Sequence, residues 1–253
     1  MRGTLRRGGA RPWKQAEPNG SGRALWRWLC AGMALVAVML LALPEPLAKS
    51  GLGPPRCKPQ KAKEFLKRPH FVKKGRLDGH GNVKALRYRV ERYGRVEGVP
   101  YAELNSTDAH TQAIGVRFFG LPVSVHRAIE PALRCVEKRI RATCQRRGER
   151  YVPRALGGFR EHNTYRGGEV SNHLFGIAID IDPERNPCCG CVEPWPQHPA
   201  CQRDVDVSER SALPKCWIEG FERYGFYWLG RDPQLRDTMH FEFLGDPERV
   251  VSR

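Results

Sequence analysis

A chain of 253 residues has room for one globular domain with a leader, or at most two small domains. Its hydrophobic content of 40% suffices for an apolar core. A formal net charge of +16 would be typical of a nucleic-acid-binding protein, but this charge is concentrated in two segments. Seven basic residues and one acidic residue give residues 1–29 a net charge of +6. Thirteen basic and three acidic residues give residues 58–95 a net charge of +10. The rest of the chain sums to zero, so a nucleic-acid partner is excluded for the folded part.

The N-terminal 48 residues have the character of a targeting segment. Residues 1–27 are basic and lack periodicity, which predicts disorder. Residues 28–48 begin with an uncharged, almost wholly apolar run that is short for a spanning helix. Such a run fits a signal peptide or a short membrane anchor, and the preceding arginines favour a cytoplasmic N-terminus. We therefore predict an extracytoplasmic protein, with a proline-rich linker over residues 49–60.

Residues 61–110 form a basic extension in this interpretation. The 58–95 charge could be a patch for anionic cell-envelope polymers or a solvated face, and the sequence favours neither. Residues 83–90 and 92–99 could form the strands of a hairpin. Residues 78–79 and 81–82, which precede these strands, are predicted to form turns.

The cysteines indicate an oxidising environment. The chain has nine, of which one, Cys30, lies in the leader, and the other eight are an even set. Such a set favours several disulfides in an extracytoplasmic compartment. The disulfide candidates are Cys57, Cys135, Cys144, Cys188, Cys189, Cys191, Cys201 and Cys216.

Residues 111–253 carry the signals of a folded domain. Apolar residues recur with a helical period from residue 125, predicting a helix that starts near Glu130 and ends at Gly148. A second helix is predicted over residues 214–224, with Pro214 in its first turn. Residues 151–156 are typical of a strand that leads into two glycines and Arg160.

Two polar-and-apolar stretches, residues 171–182 and 237–243, carry the candidate chemistry. Each alternates with period two, so that one strand face is apolar and the other bears imidazole or carboxylate groups. His173, Asp180 and His240 could then meet as two nitrogens and one oxygen, which leaves a fourth position for water as in a catalytic zinc site. Asp237 could accept a proton from that water. By face geometry alone, Asp182 could replace Asp180.

A cysteine-rich segment, residues 184–213, separates the two stretches. Four cysteines within fourteen residues could bind a structural zinc ion. The vicinal pair and the lack of a regular repeat favour disulfides instead. Because the segment directly follows the proposed ligand strand, we expect it to form one wall of a cleft.

The two stretches together resemble a known family. Ser-x-His-x-x-Gly-x-Ala-x-Asp beginning at Ser171, followed by Asp-x-x-His-Phe-Glu beginning at Asp237, is similar to the zinc D-alanyl-D-alanine carboxypeptidases and related cell-wall endopeptidases. The hedgehog signalling domain shares their fold. The resemblance covers roughly residues 115–245. It implies an α+β fold in which a small antiparallel sheet carries a zinc site and helices flank it.

The resemblance also implies roles for individual residues. It favours Asp180 over Asp182 as the zinc ligand. An arginine near the site contacts substrate in this family, and Arg160 is the first candidate by position, with Arg166 as the alternative. Glu242 lies on the face of the last ligand and could accept a hydrogen bond from an imidazole. Ser171 would orient a ligand or the substrate.

The function that follows is hydrolysis of peptide bonds in peptidoglycan stem peptides. The cut would be at a terminal D-Ala-D-Ala bond or at an internal L-Ala-D-Glu bond. The alternative is a zinc-containing binding module of the same fold that has lost hydrolysis. The retained Asp237 favours the enzyme.

Overall fold

The structure, a computed structural model, describes residues 56–165 and 167–252. The predictions for residues 1–55, including the signal or anchor segment, lie outside the described residues, as does Arg166. None of the helices within the described ranges combines the length and the apolar character that crossing a membrane requires. The boundaries assigned to the basic extension and the peptidase domain stay predictions.

The described chain is mixed α+β with small antiparallel sheets, as predicted. The α-helices are α1 (Arg68–Phe71), α2 (Gly79–Tyr93), α3 (Glu130–Arg146), α4 (Val207–Arg210) and α5 (Lys215–Glu222). The strands are β1 (Arg56–Cys57), β2 (Val72–Lys73), β3 (Arg76–Leu77), β4 (Ala113–Phe118), β5 (Leu121–His126), β6 (Leu156–Gly157), β7 (Ala178–Ile181), β8 (Phe226–Trp228), β9 (His240–Phe243) and β10 (Val251–Ser252). A four-stranded sheet has the order β6-β7-β9-β8, and β1-β10, β2-β3 and β4-β5 form pairs.

The four-stranded sheet holds the two motif stretches side by side. Strands β7 and β9 are antiparallel, with Ile179 opposite Phe241 and Asp180 opposite His240. The first pair is fully buried in the main apolar core, and the second pair points to the other face of the sheet. Alternating apolar and polar residues therefore fix the register, since a shift by one residue would send the carboxylate into the core.

The two helices predicted within residues 111–253 are present. Helix α3 (Glu130–Arg146) matches the stretch predicted to run from Glu130 towards Gly148, and α5 (Lys215–Glu222) follows Pro214. Their apolar faces pack together and bury Ile140 and Phe221 in the core.

The predicted hairpin over residues 83–99 is wrong, because most of this stretch is helix α2 (Gly79–Tyr93). Its buried side chains, Ala85, Leu86, Arg89, Val90 and Tyr93, recur with the spacing of one helical face. Valines and tyrosines favour strands intrinsically, but burial of this face against the core overrides that preference.

The predicted strand over residues 151–156 is reduced to the short β6 (Leu156–Gly157). Pro153 has no backbone N–H to offer a neighbouring strand. The next two amides, of Arg154 and Ala155, donate to the Asp182 carboxylate at 2.7 and 2.6 Å instead of to a strand. The Asp182 side chain thus accepts the hydrogen bonds that a neighbouring strand would accept in a regular sheet.

All eight predicted cysteines are paired. The disulfides are Cys57–Cys135, Cys144–Cys216, Cys188–Cys191 and Cys189–Cys201. The first two join residues 78 and 72 positions apart and tie α3 to distant parts of the chain. The last two staple the segment between the motif stretches.

Candidate metal centre

Three side chains from separate elements meet at one buried point. His173 lies in a 3-10 turn, Asn172–Phe175, while Asp180 and His240 lie on β7 and β9. One ligand atom from each lies within 4.8 Å of the other two. All three side chains are at most 3% exposed. The structure therefore brings together the three ligands predicted from the sequence.

The distances within this triad are those of groups that share one centre. His240 Nδ1 lies 2.7 Å from Asp180 Oδ1, and His173 Nε2 lies 3.2 Å from Asp180 Oδ2. The two facing ring nitrogens are 3.1 Å apart. Two imidazole nitrogens and a carboxylate are a donor set that zinc accepts, with one position left open.

The electrostatics of the triad favour a cation. Burial opposes ionisation of Asp180, yet the charges of His173 and His240 hold its pKa well below the ordinary value. Burial alone would lower the pKa of His240, but Asp180 and Glu242 raise it to about 10. The carboxylates thus attract positive charge to this buried point, and a metal ion can supply it in place of protons.

Hydrogen bonds orient both imidazole rings. The Nδ1–H of His173 donates to the Gly158 carbonyl at 2.5 Å, which leaves Nε2 to face the other ligands. His240 Nε2 lies 3.2 Å from Glu242 Oε1, so Nδ1 faces the centre. Glu242 therefore has the contact predicted for it. Ser171 caps the 3-10 turn by accepting from the amide of His173 at 3.3 Å, which positions that ligand through the backbone.

Gly158 is required where it stands. A Cβ atom at this position would lie 2.0 Å from the carbonyl oxygen of Ser124. Only glycine lets β6 approach β5 so closely that the Gly158 carbonyl can reach the His173 ring. The glycine pair predicted to precede the site thus acts through backbone packing.

Asp182, the alternative ligand by face geometry, does not reach the centre. Its carboxylate accepts hydrogen bonds from the Tyr151 hydroxyl at 2.5 Å and from the backbone amides of Arg154 and Ala155. Arg185 adds an ion pair at 3.1 Å. These contacts make Asp182 an anchor for the loop before β6.

Asp237 lies beside the triad with a free carboxylate oxygen. It is 7% exposed, and its Oδ1 has no hydrogen-bond partner among the residues that the structure describes. Burial raises the pKa of Asp237 to about 7; the negative charge of Asp180 acts in the same direction and His240 acts against it. A buried carboxylate with such a pKa can accept a proton near neutral pH.

Arg160 also reaches the site. One of its amino groups contacts the Asp180 carboxylate, and Nη1 lies 3.4 Å from the Thr164 hydroxyl. Its side chain is 37% exposed, so the guanidinium stands at the boundary between the triad and solvent. This position lets it meet an anionic group of a bound molecule.

A cleft of about 400 Å³ opens onto the triad, Asp237 and Arg160. The predicted cysteine wall is present, because Cys188 and Cys191 line the cleft. Its lining also includes Arg68, Tyr165 and Glu169, for which the sequence carries no motif that predicts a role at the site.

Arg68 and Glu169 form a buried ion pair on the lining. The guanidinium contacts both Glu169 oxygens, at 2.7 and 3.1 Å, and reaches Asp232 at 3.1 Å. Its partners lie 101 and 164 positions away in the chain, so no local sequence pattern predicts the contact. In the sequence, Arg68 is one charge among many in the basic extension.

Tyr165 lines the cleft and has a buried hydroxyl. This hydroxyl lacks a hydrogen-bond partner among the described residues. Burial, reinforced by Glu242 and Asp237, raises the pKa of Tyr165 well above its ordinary value. The group therefore stays protonated and remains available as a donor.

A family model described as D-alanyl-D-alanine carboxypeptidase matches residues 164–243. The matched segment contains all three proposed ligands, Asp237 and Tyr165, whereas Arg160 lies before it. The resemblance seen in the two motifs is thereby confirmed over this part of the chain, and the match supports a peptidase. No curated protein and no solved structure matches the chain.

Proposed function

We propose that the protein is an extracytoplasmic zinc metallopeptidase that hydrolyses peptide bonds in peptidoglycan stem peptides. The observation that carries this proposal is the buried meeting of His173, Asp180 and His240 beside the unpartnered carboxylate of Asp237. The match to a family model described as D-alanyl-D-alanine carboxypeptidase, which covers all four residues, supports this substrate class. The bond cut would be a terminal D-Ala-D-Ala bond or an internal L-Ala-D-Glu bond.

His173 Nε2, His240 Nδ1 and the Asp180 carboxylate would hold the zinc ion. When bound, zinc would supply a Lewis acid for the substrate carbonyl and would lower the pKa of water to about 7. Glu242 and the Gly158 carbonyl keep each ring turned so that the proper nitrogen faces the metal. These hydrogen bonds would hold both imidazole rings in the metal-binding orientation before zinc binds.

Asp237 would move the proton. Its free Oδ1 accepts a proton from the attacking water and returns it to the leaving amine, as a general base and then a general acid. The main-chain amide of Asp237 donates to the Leu229 carbonyl at 3.2 Å, which fixes the carboxylate at the edge of the cleft. A binding module without hydrolysis would have no use for this arrangement.

Arg160 and Tyr165 would stabilise negative charge on the substrate. The guanidinium of Arg160 reaches the triad from the solvent side and suits a carboxylate or a developing oxyanion. The Tyr165 hydroxyl can donate a hydrogen bond to this substrate oxygen. It remains protonated, and it makes no hydrogen bond with the described residues that would have to break first.

The proposed location rests on the disulfides and on the leader. Four disulfides among the described residues favour an oxidising compartment. An N-terminal signal peptide or anchor would deliver the domain there. The basic 58–95 segment could also contact anionic cell-envelope polymers, although Arg68 and Arg89 within it are buried and unavailable for that role.

The test is digestion of purified peptidoglycan, with the released fragment identified by mass. The Asp237→Asn variant should keep its zinc and lose on the order of a hundredfold or more in turnover, because only the proton acceptor is removed. Asp204→Asn, an exposed carboxylate outside the cleft, is the matched control and should keep full activity.

Two outcomes would count against the proposal. Undiminished turnover in Asp237→Asn would mean that another group moves the proton. A wild-type protein that holds zinc and binds peptidoglycan without releasing any fragment would be the non-catalytic module.

A further inference from the structure

The turn that carries Cys188 and Cys191 is hydrogen-bonded along the segment that carries Asp237. Cys188 pairs with Asp237 in an antiparallel bridge. On one side of that bridge, the amide of Gly190 donates to the Leu235 carbonyl at 2.6 Å. On the other side, the amide of Thr238 donates to the Pro187 carbonyl at 3.2 Å. The two cysteines and the proposed base therefore keep a fixed spacing.

Gly190 makes this close pairing feasible. A Cβ atom on Gly190 would lie 1.7 Å from the Gln234 carbonyl oxygen. The Cys188–Cys191 turn can therefore lie close against residues 234–237, where both cysteines line the cleft.

The ligand atoms of Cys188, Cys191 and Asp237 all lie within 4.8 Å of one another. The two cysteines are three positions apart, with Cα atoms separated by 5.3 Å, which is the Cys-x-x-Cys spacing of zinc-binding turns. The third group, Asp237, is the buried carboxylate whose Oδ1 has no described partner. Two sulfurs and one carboxylate oxygen of Asp237 thus lie close together.

We propose that reduction of the Cys188–Cys191 disulfide creates a second metal site, in which two thiolates and the Asp237 carboxylate bind a thiophilic divalent cation such as zinc or cadmium. A phosphine reductant supplies two electrons to the disulfide and becomes a phosphine oxide with an oxygen atom from water. The two sulfurs take up two protons, which the cation displaces when the thiolates bind. Cys191 is partly exposed on the cleft, so a small reductant can reach the bond.

The site has a consequence that rests on the proposed function. A carboxylate bound to a cation cannot accept a proton from water. Loading of the reduced turn would therefore silence the enzyme while the ligands His173, Asp180 and His240 stay in place. Reduction of the Cys188–Cys191 disulfide, followed by binding of a cation at the new site, would thus inhibit the peptidase.

A second cluster of the same composition offers a comparison. Cys144, Glu149 and Cys216 also lie within 4.8 Å of one another. The cysteines of that cluster, however, come from two helices 72 positions apart, and Glu149 already accepts from the Cys216 amide at 3.5 Å. This cluster lacks both the short chelating turn and the free carboxylate, so reduction should not make it a comparable site.

The experiment measures metal binding without using peptidase activity. Zinc-loaded protein is treated with the phosphine, freed of excess reagent and titrated with cadmium, and the ultraviolet absorbance of cadmium–thiolate bonds is recorded. Oxidised protein should show no such band. Reduced protein should show the band at about one equivalent of cadmium, with the original zinc retained.

Variants assign the band to the proposed ligands. Cys188→Ser/Cys191→Ser should abolish it, whereas Cys189→Ser/Cys201→Ser, which removes the neighbouring disulfide, should keep it. Asp237→Asn should weaken cadmium binding by roughly tenfold or more. Circular dichroism and zinc content verify that each variant is folded.

The outcomes separate this proposal from the proposed function. A band that survives in Cys188→Ser/Cys191→Ser, or no cadmium binding by the reduced wild type, would overturn the second site. A normal titration in a protein without peptidase activity would leave the site standing and overturn only the enzyme.

Discussion

Residues 164–243 contain the proposed metal ligands and the proposed base, whereas residues 56–110 contain two buried arginines that contact this region. The first region has eight basic and thirteen acidic residues, a net charge of −5, and carries the recognisable motifs. The second is strongly basic, and in sequence it resembles a solvated appendage. In the structure, Arg68 and Arg89 are 8% and 2% exposed, and both contact the motif region.

Arg89 shows what the basic region contributes. Its Nη1 donates to the Val170 carbonyl at 2.9 Å, one residue before Ser171 and the ligand turn. Burial opposes ionisation of Glu242, but His240, Asn172 and the charge of Arg89 lower its pKa. A count of charges along the sequence therefore does not distinguish solvent-exposed arginines from buried arginines that neutralise carboxylates near the site.

The largest effect should come from the motif region itself. The purified protein should carry about one zinc per chain, and His240→Ala should lose most of it together with all measurable turnover, because one of three ligands is gone. His198→Ala is the control, since that histidine lies in the cysteine-rich loop and contacts the Glu184 carbonyl. Metal analysis and the peptidoglycan assay measure both. Full zinc occupancy in His173→Ala/His240→Ala would remove these residues from the ligand set.

The second prediction concerns the stability that the basic region contributes through Arg68. Arg68→Met leaves the carboxylates of Glu169 and Asp232 buried without their counter-ion, which should cost about 3–5 kcal/mol in free energy of unfolding. Arg92→Met removes an arginine of the same region whose partners are the partly buried Asp246 and the exposed Glu248. That control should cost about 0–1 kcal/mol. Urea unfolding compares the two, and equal losses would mean that the two arginines contribute alike.

The site could be predicted from sequence because its signals are local. Period-two alternation places Asp180, Asp182 and His240 on the polar faces of their strands, and the resemblance to the carboxypeptidase motif selects Asp180 together with His173, seven residues before it. Asp237 is predicted from its place three residues before His240, the last proposed ligand. None of these inferences requires knowledge of a distant contact.

The errors arose where long-range packing decides the outcome. Helix α2 was predicted as a hairpin because its valines and tyrosines favour strands, and only the core it packs against selects the helix. Arg68 was missed because its partners are more than a hundred positions away. Tyr165 was missed because a lone tyrosine in a loop carries no pattern.

The third prediction concerns Tyr165, which lies in the motif region near the Arg68–Glu169 pair. Tyr165→Phe keeps the ring and removes only the unpartnered hydroxyl, so zinc content should not change. Turnover should fall on the order of a hundredfold if the hydroxyl donates to the developing oxyanion. Tyr88→Phe, in the basic region and off the cleft, is the control. A loss confined to KM would instead mean that the hydroxyl only binds substrate.

His126 lies where the two regions meet, and its ring contacts make it sensitive to pH. Its Nε2–H donates to the Tyr93 carbonyl of α2 at 3.1 Å, and its Nδ1 accepts from the Ala128 amide at 3.1 Å. Its own amide donates to the Gly176 carbonyl of the motif region at 2.8 Å. Both ring nitrogens are thus satisfied only in the neutral form.

Burial lowers the pKa of His126 to about 4; the Tyr93 carbonyl acts against this and Arg127 reinforces it. The unfolded chain, with a histidine pKa of about 6.5, binds the proton more readily than the folded protein does. The free energy of unfolding should therefore be fully present above about pH 6.5 and should fall as the pH drops towards 4, by on the order of 1 kcal/mol between pH 7 and pH 5.

His126→Asn isolates this smallest effect. Asparagine keeps a side-chain acceptor for the Ala128 amide but does not titrate, so the variant should be less stable than wild type at pH 7 and should lose less on going to pH 5. Urea unfolding of both proteins under the same saturating zinc gives the two slopes. The pH dependence of zinc binding by His173 and His240 is common to both proteins and cancels in the difference. Parallel slopes would show that the junction between the two regions does not titrate over this range.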